Sequence, residues 1–215
     1  MGSMWASVAG GVTAYLLGAV PFGYLIARAR GMDIRQHGSG NIGATNVLRV
    51  VGKSWGILTF ACDFAKGLIP ALVFPWLARR WGATLATEVL AVTYGCLAVL
   101  GHNFPVYLRF KGGKGIATSA GALIGIAPAA VGIAAATWLL VFLLSRFVSV
   151  ASIAAAAAVA GASWWLYSPR ATGDSWLLPV ALSALALLAI ARHKSNIARL
   201  LRGTERRFEF RRGRK

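Results

Sequence analysis

Apolar stretches separated by short polar or glycine-containing segments organise the chain: Met4 to Ala27, Trp55 to Ala78, Thr84 to Leu108, Ile116 to Leu144, Val148 to Tyr167 and Trp176 to Ala191. Most reach the roughly 20 residues that an α-helix needs to cross the hydrocarbon core of a bilayer. Ile116 to Leu144 is too long for one ordinary span, and Gly125-Ile126-Ala127-Pro128 interrupts it. Glycine and proline there predict a short helix, a tight turn and a second helix. With that division the pattern predicts an all-α polytopic membrane protein of seven transmembrane helices. A five-span chain, with one long tilted helix and a re-entrant piece, has the same parity and is the alternative.

Composition agrees. Of 215 residues, 57% are hydrophobic and only 13% charged, against about 25% charged in a soluble domain. The formal net charge of +17, from 23 Lys and Arg against 6 Asp and Glu, is that of a nucleic-acid binder until its placement is considered. With the N-terminus outside, inner loops take Arg28, Arg30, Arg35, Arg49 and Lys53, then Arg109, Lys111 and Lys114, then Arg146, then every basic residue from Arg192 onward. The outer loops keep Arg79, Arg80 and Arg170. Because Lys and Arg collect in cytoplasmic loops, the N-terminus is expected outside and the C-terminus in the cytoplasm, and nucleic acid is excluded as a partner. Met4 to Ala27 has no basic segment before it and no clear cleavage site after it, so it reads as a retained first span. Residues 1–205 read as a single integral-membrane domain. Residues 206–215 read as a basic cytoplasmic tail that anchors topology, with anionic lipid as the alternative contact.

Three polar clusters fall on the same predicted side. The first is Gly38-Ser39-Gly40-Asn41-Ile42-Gly43-Ala44-Thr45-Asn46, followed by Arg49 and Gly52-Lys53-Ser54. Gly38 to Gly43 satisfies GxGxxG, but a dinucleotide fingerprint follows a strand and this one follows a membrane span. Gly52-Lys53-Ser54 ends like a phosphate-binding P-loop, yet Val47 stands where its first glycine belongs. What remains is a glycine-rich segment opening a helix that presents Thr45, Asn46 and Arg49, with Thr45 and Arg49 on one face. An arginine so placed suits a phosphate or carboxylate; the plainer reading is a turn in which Ser39 caps the helix.

The second cluster runs from Gly101-His102-Asn103-Phe104-Pro105 to Lys111-Gly112-Gly113-Lys114-Gly115 and Thr118. Glycines let successive N–H groups converge on phosphate oxygens, and lysines add point charges. His102 reads equally well as a satisfied helix-end histidine. The third cluster, Arg192-His193-Lys194-Ser195-Asn196 through Arg199 to Gly203-Thr204-Glu205, puts His193 and Asn196 at i, i+3, able to point at one spot. A basic amphipathic helix along the headgroups competes with a site there. Glu205, the lone acid of that segment, reads as an ion pair that orients the helix. Within the spans, Asp63 and Lys66 are also i, i+3 and are expected to pair, while Glu88 is unassigned. Cys62 and Cys96 have no framework spacing, and the acids and histidines do not cluster as metal ligands, so neither a disulfide, a metal nor a cofactor is expected.

In this order the three clusters closely resemble the bacterial membrane family that acylates glycerol 3-phosphate from acyl phosphate, over about Tyr15 to Glu205. The resemblance implies a seven-span fold in the bacterial inner membrane with all three motifs cytoplasmic. It also implies formation of 1-acyl-glycerol 3-phosphate, which starts phospholipid synthesis. Ser39, Arg49, the loop glycines, Lys114, His193 and Asn196 fall on positions the family uses for activity or binding. On this reading Ser39, Arg49, His193 and Asn196 are catalytic candidates. Thr45, Asn46, His102, Lys111, Gly112, Gly113, Lys114 and Gly115 are substrate-binding candidates. The tail beyond Arg207 has no family counterpart.

The chemistry is consistent with these residue types. Acyl phosphate is a mixed anhydride whose carbonyl is already electrophilic, so catalysis must chiefly stabilise the departing phosphate and position the glycerol hydroxyl. Thioester-using acyltransferases carry HX4D, but the fifth positions after His37, His102 and His193 are Ile42, Tyr107 and Ala198. The expected partners are acyl phosphate, glycerol 3-phosphate and membrane lipid, and a monomer suffices. An organic-phosphate transporter is the alternative; it predicts repeated halves and broken midplane helices, and the halves here do not repeat. A non-catalytic lipid-binding scaffold leaves the glycine loops unexplained.

Overall fold

The computed structural model describes residues 2–169 and 175–209. Arg170 and residues 210–215 of the basic tail lie outside the described residues. Every regular element among the described residues is helical, as the apolar pattern predicts. The chain divides into two compact units, Met1–Pro128 and Ala129–Lys215.

In the first unit, α1 (Gly2–Ala19) and α2 (Phe22–Ala29) meet at Val20-Pro21, and a 3-10 turn (Ile34–Gln36) leads into the glycine-rich loop. There follow α3 (Ala44–Val50), α4 (Lys53–Leu72), α5 (Phe74–Arg80), α6 (Thr87–Asn103), a second 3-10 turn (Val106–Leu108) and α7 (Ile116–Ile124). α1 packs along α6, and α4 along α7. Both pairs approach backbone to backbone. A Cβ on Gly18 would overlap the Ala98 carbonyl oxygen and one on Gly101 that of Tyr15, while Gly67 and Gly121 stand in the same relation to Thr118 and Phe64. Small residues permit such approach in lipid, where apolar side chains gain little by leaving one hydrocarbon phase for another. Two tyrosines fasten α1: Tyr94 donates to the Ser7 carbonyl at 3.0 Å and Tyr15 to that of Phe104 at 2.7 Å.

The expected Asp63–Lys66 pair is present on α4, with Nζ 2.8 Å from Oδ1 and each residue 2% exposed. Lys66 also donates to the Val20 carbonyl at 2.7 Å, which ties α4 to the end of α1. Glu88 lies in the first turn of α6, where a negative charge complements the helix dipole.

The second unit contains α8 (Pro128–Ser145, beginning at the division), α9 (Val148–Tyr167), α10 (Leu177–Arg192) and α11 (Lys194–Leu201). Indole–hydroxyl bonds join its helices: Trp138 donates to Ser152 at 3.2 Å and Trp164 to Ser183 at 2.9 Å. The start of the tail folds back on the turn after α8. The Phe208 N–H donates to the Arg146 carbonyl at 2.8 Å, and Arg207 lies over the Phe147 ring.

Among the described residues, five segments are long and apolar enough to cross a membrane: Met4–Ala29, Lys53–Arg80, Thr87–Leu108, Pro128–Ser145 and Val148–Tyr167. The pair α10–α11, bent by 52°, makes a sixth if counted as one span. The predicted division of Ile116 to Leu144 is where the sequence puts it, between α7 and Pro128. α7 has nine residues, a length of about 13.5 Å, and is not among the six.

Candidate active site

The first two clusters share a floor. Ala27, Ile34, Ile42, Val47 and Leu108 form one buried apolar group, so the glycine-rich loop and the turn before Lys111 rest on the same packing. Above it, Ser39 and Arg49 are exposed and Thr45 is half-buried, with Thr45 and Arg49 four residues apart on α3.

Asn46 is different: it is 3% exposed and its amide is committed to the loop. Oδ1 accepts from the Ser39 N–H at 2.9 Å, and Nδ2 donates to the carbonyls of Asn41 at 2.9 Å and His37 at 3.0 Å. Asn46 therefore sets the height of Ser39. A second brace precedes it. Arg35 lies over the Tyr24 ring and makes two bonds to Asp33, Nε–Oδ1 at 2.9 Å and Nη2–Oδ2 at 2.6 Å. Those side-chain bonds from Arg35 hold the Asp33 carboxyl at about 2. The sequence presents Arg35 only as a topological charge, and the two-residue spacing to Asp33 is the signal that would have found the brace.

The glycine loop meets His102 to Pro105 edge-on. A Cβ on Gly112 would strike the His102 carbonyl and Pro105 Cδ, and one on Gly113 would overlap His102 Nε2. The Gly113 N–H donates to the His102 carbonyl at 3.1 Å. These glycines thus let the loop approach its own protein, and the Gly113 N–H has a protein acceptor. The loop then turns through Gly115 at φ 80° into α7, whose first N–H groups have no partner within the helix. Lys111 is exposed and Lys114 half-buried. Around this entry lie polar groups that the sequence reading did not single out as binding residues. Asn103 is 1% exposed with both amide atoms unpaired, next to Gly115, and Thr118, in the first turn of α7, is 0% exposed with its hydroxyl unpaired.

The third cluster lies in the second unit. His193 stands at the bend between α10 and α11, 3% exposed, with Nδ1 2.8 Å from the Ala189 carbonyl. A carbonyl only accepts, so Nδ1 carries the proton and Nε2 is the nitrogen that can accept one. Asn196, one turn on, donates to Glu205 at 2.6 Å. Glu205 also accepts from Ser149 at 2.8 Å and from Arg199 at 2.7 Å, the orienting role expected of it.

Burial would raise the Glu205 carboxyl, but the bonds from Asn196, Ser149 and Arg199 outweigh it and hold the group below its ordinary 4.5. With the folded value depressed, this contribution to stability is complete above 4.5 and is lost as pH falls through the folded value. Glu205→Gln should therefore lower the melting temperature at neutral pH, and the gap from wild type should shrink on acidification below 4.5. A gap that stays constant with pH would contradict this role.

A family model described as glycerol-3-phosphate acyltransferase matches residues 8–203. The chain belongs to the glycerol-3-phosphate acyltransferase family. Among its relatives, the glycerol-3-phosphate acyltransferase of Desulforudis audaxviator is 46% identical over 92% of this chain and 93% of that protein. That of Aquifex aeolicus is 42% identical over 92% and 96%. The fold is similar to the crystal structure of PlsY, an integral membrane glycerol 3-phosphate acyltransferase, in its glycerol 3-phosphate form. The TM-score is 0.82 at 38% identity, covering 94% of this chain and 96% of that one. The lysophosphatidic acid form gives 0.79 at 37% identity, covering 94% and 95%. Membership makes the chain an integral-membrane acyltransferase, and the transporter alternative finds no support.

Proposed function

We propose that the chain transfers a fatty acyl group from acyl phosphate to the 1-hydroxyl of sn-glycerol 3-phosphate, giving lysophosphatidic acid and inorganic phosphate. The observation that carries this reading is the lysine-flanked loop that runs directly into the N-terminus of α7, in the same unit as α3, which exposes Arg49. Both are anion-binding chemistries, and the two PlsY crystal structures are named for phosphate-bearing ligands. The loop Lys111–Gly115 takes the acyl-phosphate group, with the charges of Lys111 and Lys114 and the helix entry opposing the phosphate's charge. Gly113 spends its N–H on the His102 carbonyl, so that group is not among the donors to the anion.

Arg49, Ser39 and Thr45 take glycerol 3-phosphate, and Asn46 serves that site by bracing Ser39. The glycerol oxygen attacks the acyl carbonyl, the bond from that carbon to the phosphate oxygen breaks, and phosphate leaves with the electron pair. The hydroxyl proton goes to a substrate phosphate oxygen. No covalent enzyme intermediate is required.

In the membrane, α7 is the short seventh element, with the N-terminus outside and the clusters at the cytoplasmic face of a bacterial inner membrane. The basic residues between spans support that orientation. Purified chain supplied with acyl phosphate and glycerol 3-phosphate, and no thioester, should release phosphate and lysophosphatidic acid in equal amounts. Absence of product from folded protein would sink the reading.

A further inference from the structure

α11 starts at His193 and carries Asn196, yet little of its own burial holds it in place. It has eight residues, and Asn196 is the buried one among them. A helix shorter than about 12 residues is marginal without outside support. That support comes from the chain just after it. Gly203, at φ 69°, ends the helix and turns the backbone back, which returns Glu205 to Asn196 and Arg199 and brings it to Ser149 at the start of α9. Beyond Glu205 the chain is fastened a second time, on the turn between α8 and α9. The Phe208 N–H donates to the Arg146 carbonyl at 2.8 Å, and Arg207 lies 5.1 Å from the centre of the Phe147 ring. The Phe208 ring meets Phe142 at 5.5 Å in an edge-on contact, and Phe142, 9% exposed, stacks on Trp138 at 4.9 Å. Arg146 itself stands at φ 59°, a conformation that non-glycine residues seldom adopt. The family model ends at residue 203, so this second fastening lies beyond the stretch it matches.

We propose that Phe208, with Arg207, is a positioning residue for the third polar cluster: the two clasp the turn between α8 and α9, keep Glu205 on Asn196 and Arg199, and so fix the placement of α11. Only Arg206 and Arg207 separate Glu205 from Phe208, so an anchored Phe208 leaves the carboxylate little room to part from Ser149 and Asn196. The proposal rests on the reading that His193 and Asn196 serve turnover. Arg207 and Phe208 act through Glu205 and have no substrate contact of their own. Opening the clasp frees α11 and leaves the helices of the first unit as they are.

The test opens the clasp in the full chain reconstituted in lipid. Phe208→Ala should speed hydrogen exchange across α11 about 10-fold or more, leave exchange in α4 and α6 unchanged, and lower kcat about 5-fold. Phe208→Tyr, which keeps the ring, should stay within about 2-fold of wild type on both measures. Ending the chain after Arg206 should reproduce Phe208→Ala, whereas ending it after Glu209 should leave kcat at the wild-type value, a contrast that separates the clasp from the charge of the basic tail. In a Glu205→Gln background, Phe208→Ala should cost less than about 2-fold further in kcat, since residues acting in one chain are not additive. If Phe208→Ala does not fold, Phe208→Leu decides by the same two measures, with kcat expected to fall about 2- to 3-fold. Unchanged exchange in α11, or unchanged kcat despite faster exchange, overturns the proposal. So does full multiplication with Glu205→Gln, or an equal loss of kcat when the chain ends after Glu209. Asn196→Ala separates the two levels of failure. If it lowers kcat about 10-fold or more while Phe208→Ala leaves turnover intact, only the positioning role is lost. If it spares turnover, the reading of the third cluster fails and this proposal falls with it.

Discussion

Alanine at Arg49 is expected to lower kcat/KM for glycerol 3-phosphate about 100-fold, the cost of roughly 3 kcal/mol when charged hydrogen bonds to a phosphate are lost. The acyl-phosphate KM should stay near the wild-type value. Arg49 is exposed, while the burial that holds α3 in place comes from Val47 at 0% and Asn46 at 3% exposure. Arg49→Lys should recover only a small part, because an ammonium cannot make the paired, planar contact of a guanidinium. Initial rates with each substrate varied in turn would check this. Activity of Arg49→Ala within a few-fold of wild type would remove Arg49 from the glycerol 3-phosphate site.

Gly113→Ala should act on the other substrate. The new Cβ falls on His102 Nε2, so the imidazole or the loop must move, and the imidazole is packed against Asp63. The expected result is a rise in acyl-phosphate KM of about 10-fold or more, with the glycerol 3-phosphate KM within about 2-fold. Equal loss for both substrates would mean that the loop does not discriminate between them. Gly31 is a useful control for expression and handling: its surroundings are open, but its φ of 76° makes any replacement a matter of local backbone strain alone.

Much of this was legible in the sequence because hydrophobic runs and helix-face spacing are local. The apolar stretches give the helices, Gly125 to Pro128 gives the break before α8, and the spacing of Asp63 and Lys66 gives their pair. Glu205 was legible as an orienting ion-pair partner because it is the only acid in a basic segment. What Gly112 and Gly113 lie against was not legible. A glycine pair beside lysines reads as room for a ligand, whereas part of that room is taken by His102, Asn103 and Pro105, brought there by the fold. Asn46 likewise reads as a donor presented on a helix, and only the path of the preceding loop shows its amide to be used by Ser39, His37 and Asn41. Side chains whose roles depend on where distant backbone passes leave no periodic trace.

The Asp63–Lys66 pair also bears on how the protein reaches the bilayer. Opposite charges one helical turn apart on the same helix, 2.8 Å from each other, travel as a unit with no net charge. α4 therefore carries its own counter-ion during insertion and does not have to wait for a second charged helix to be synthesised. The imidazole of α6, made later in the chain, meets a carboxylate whose charge is already balanced. The charge of α4 is thus balanced within that one helix before the segments that flank the glycine loop follow it along the chain.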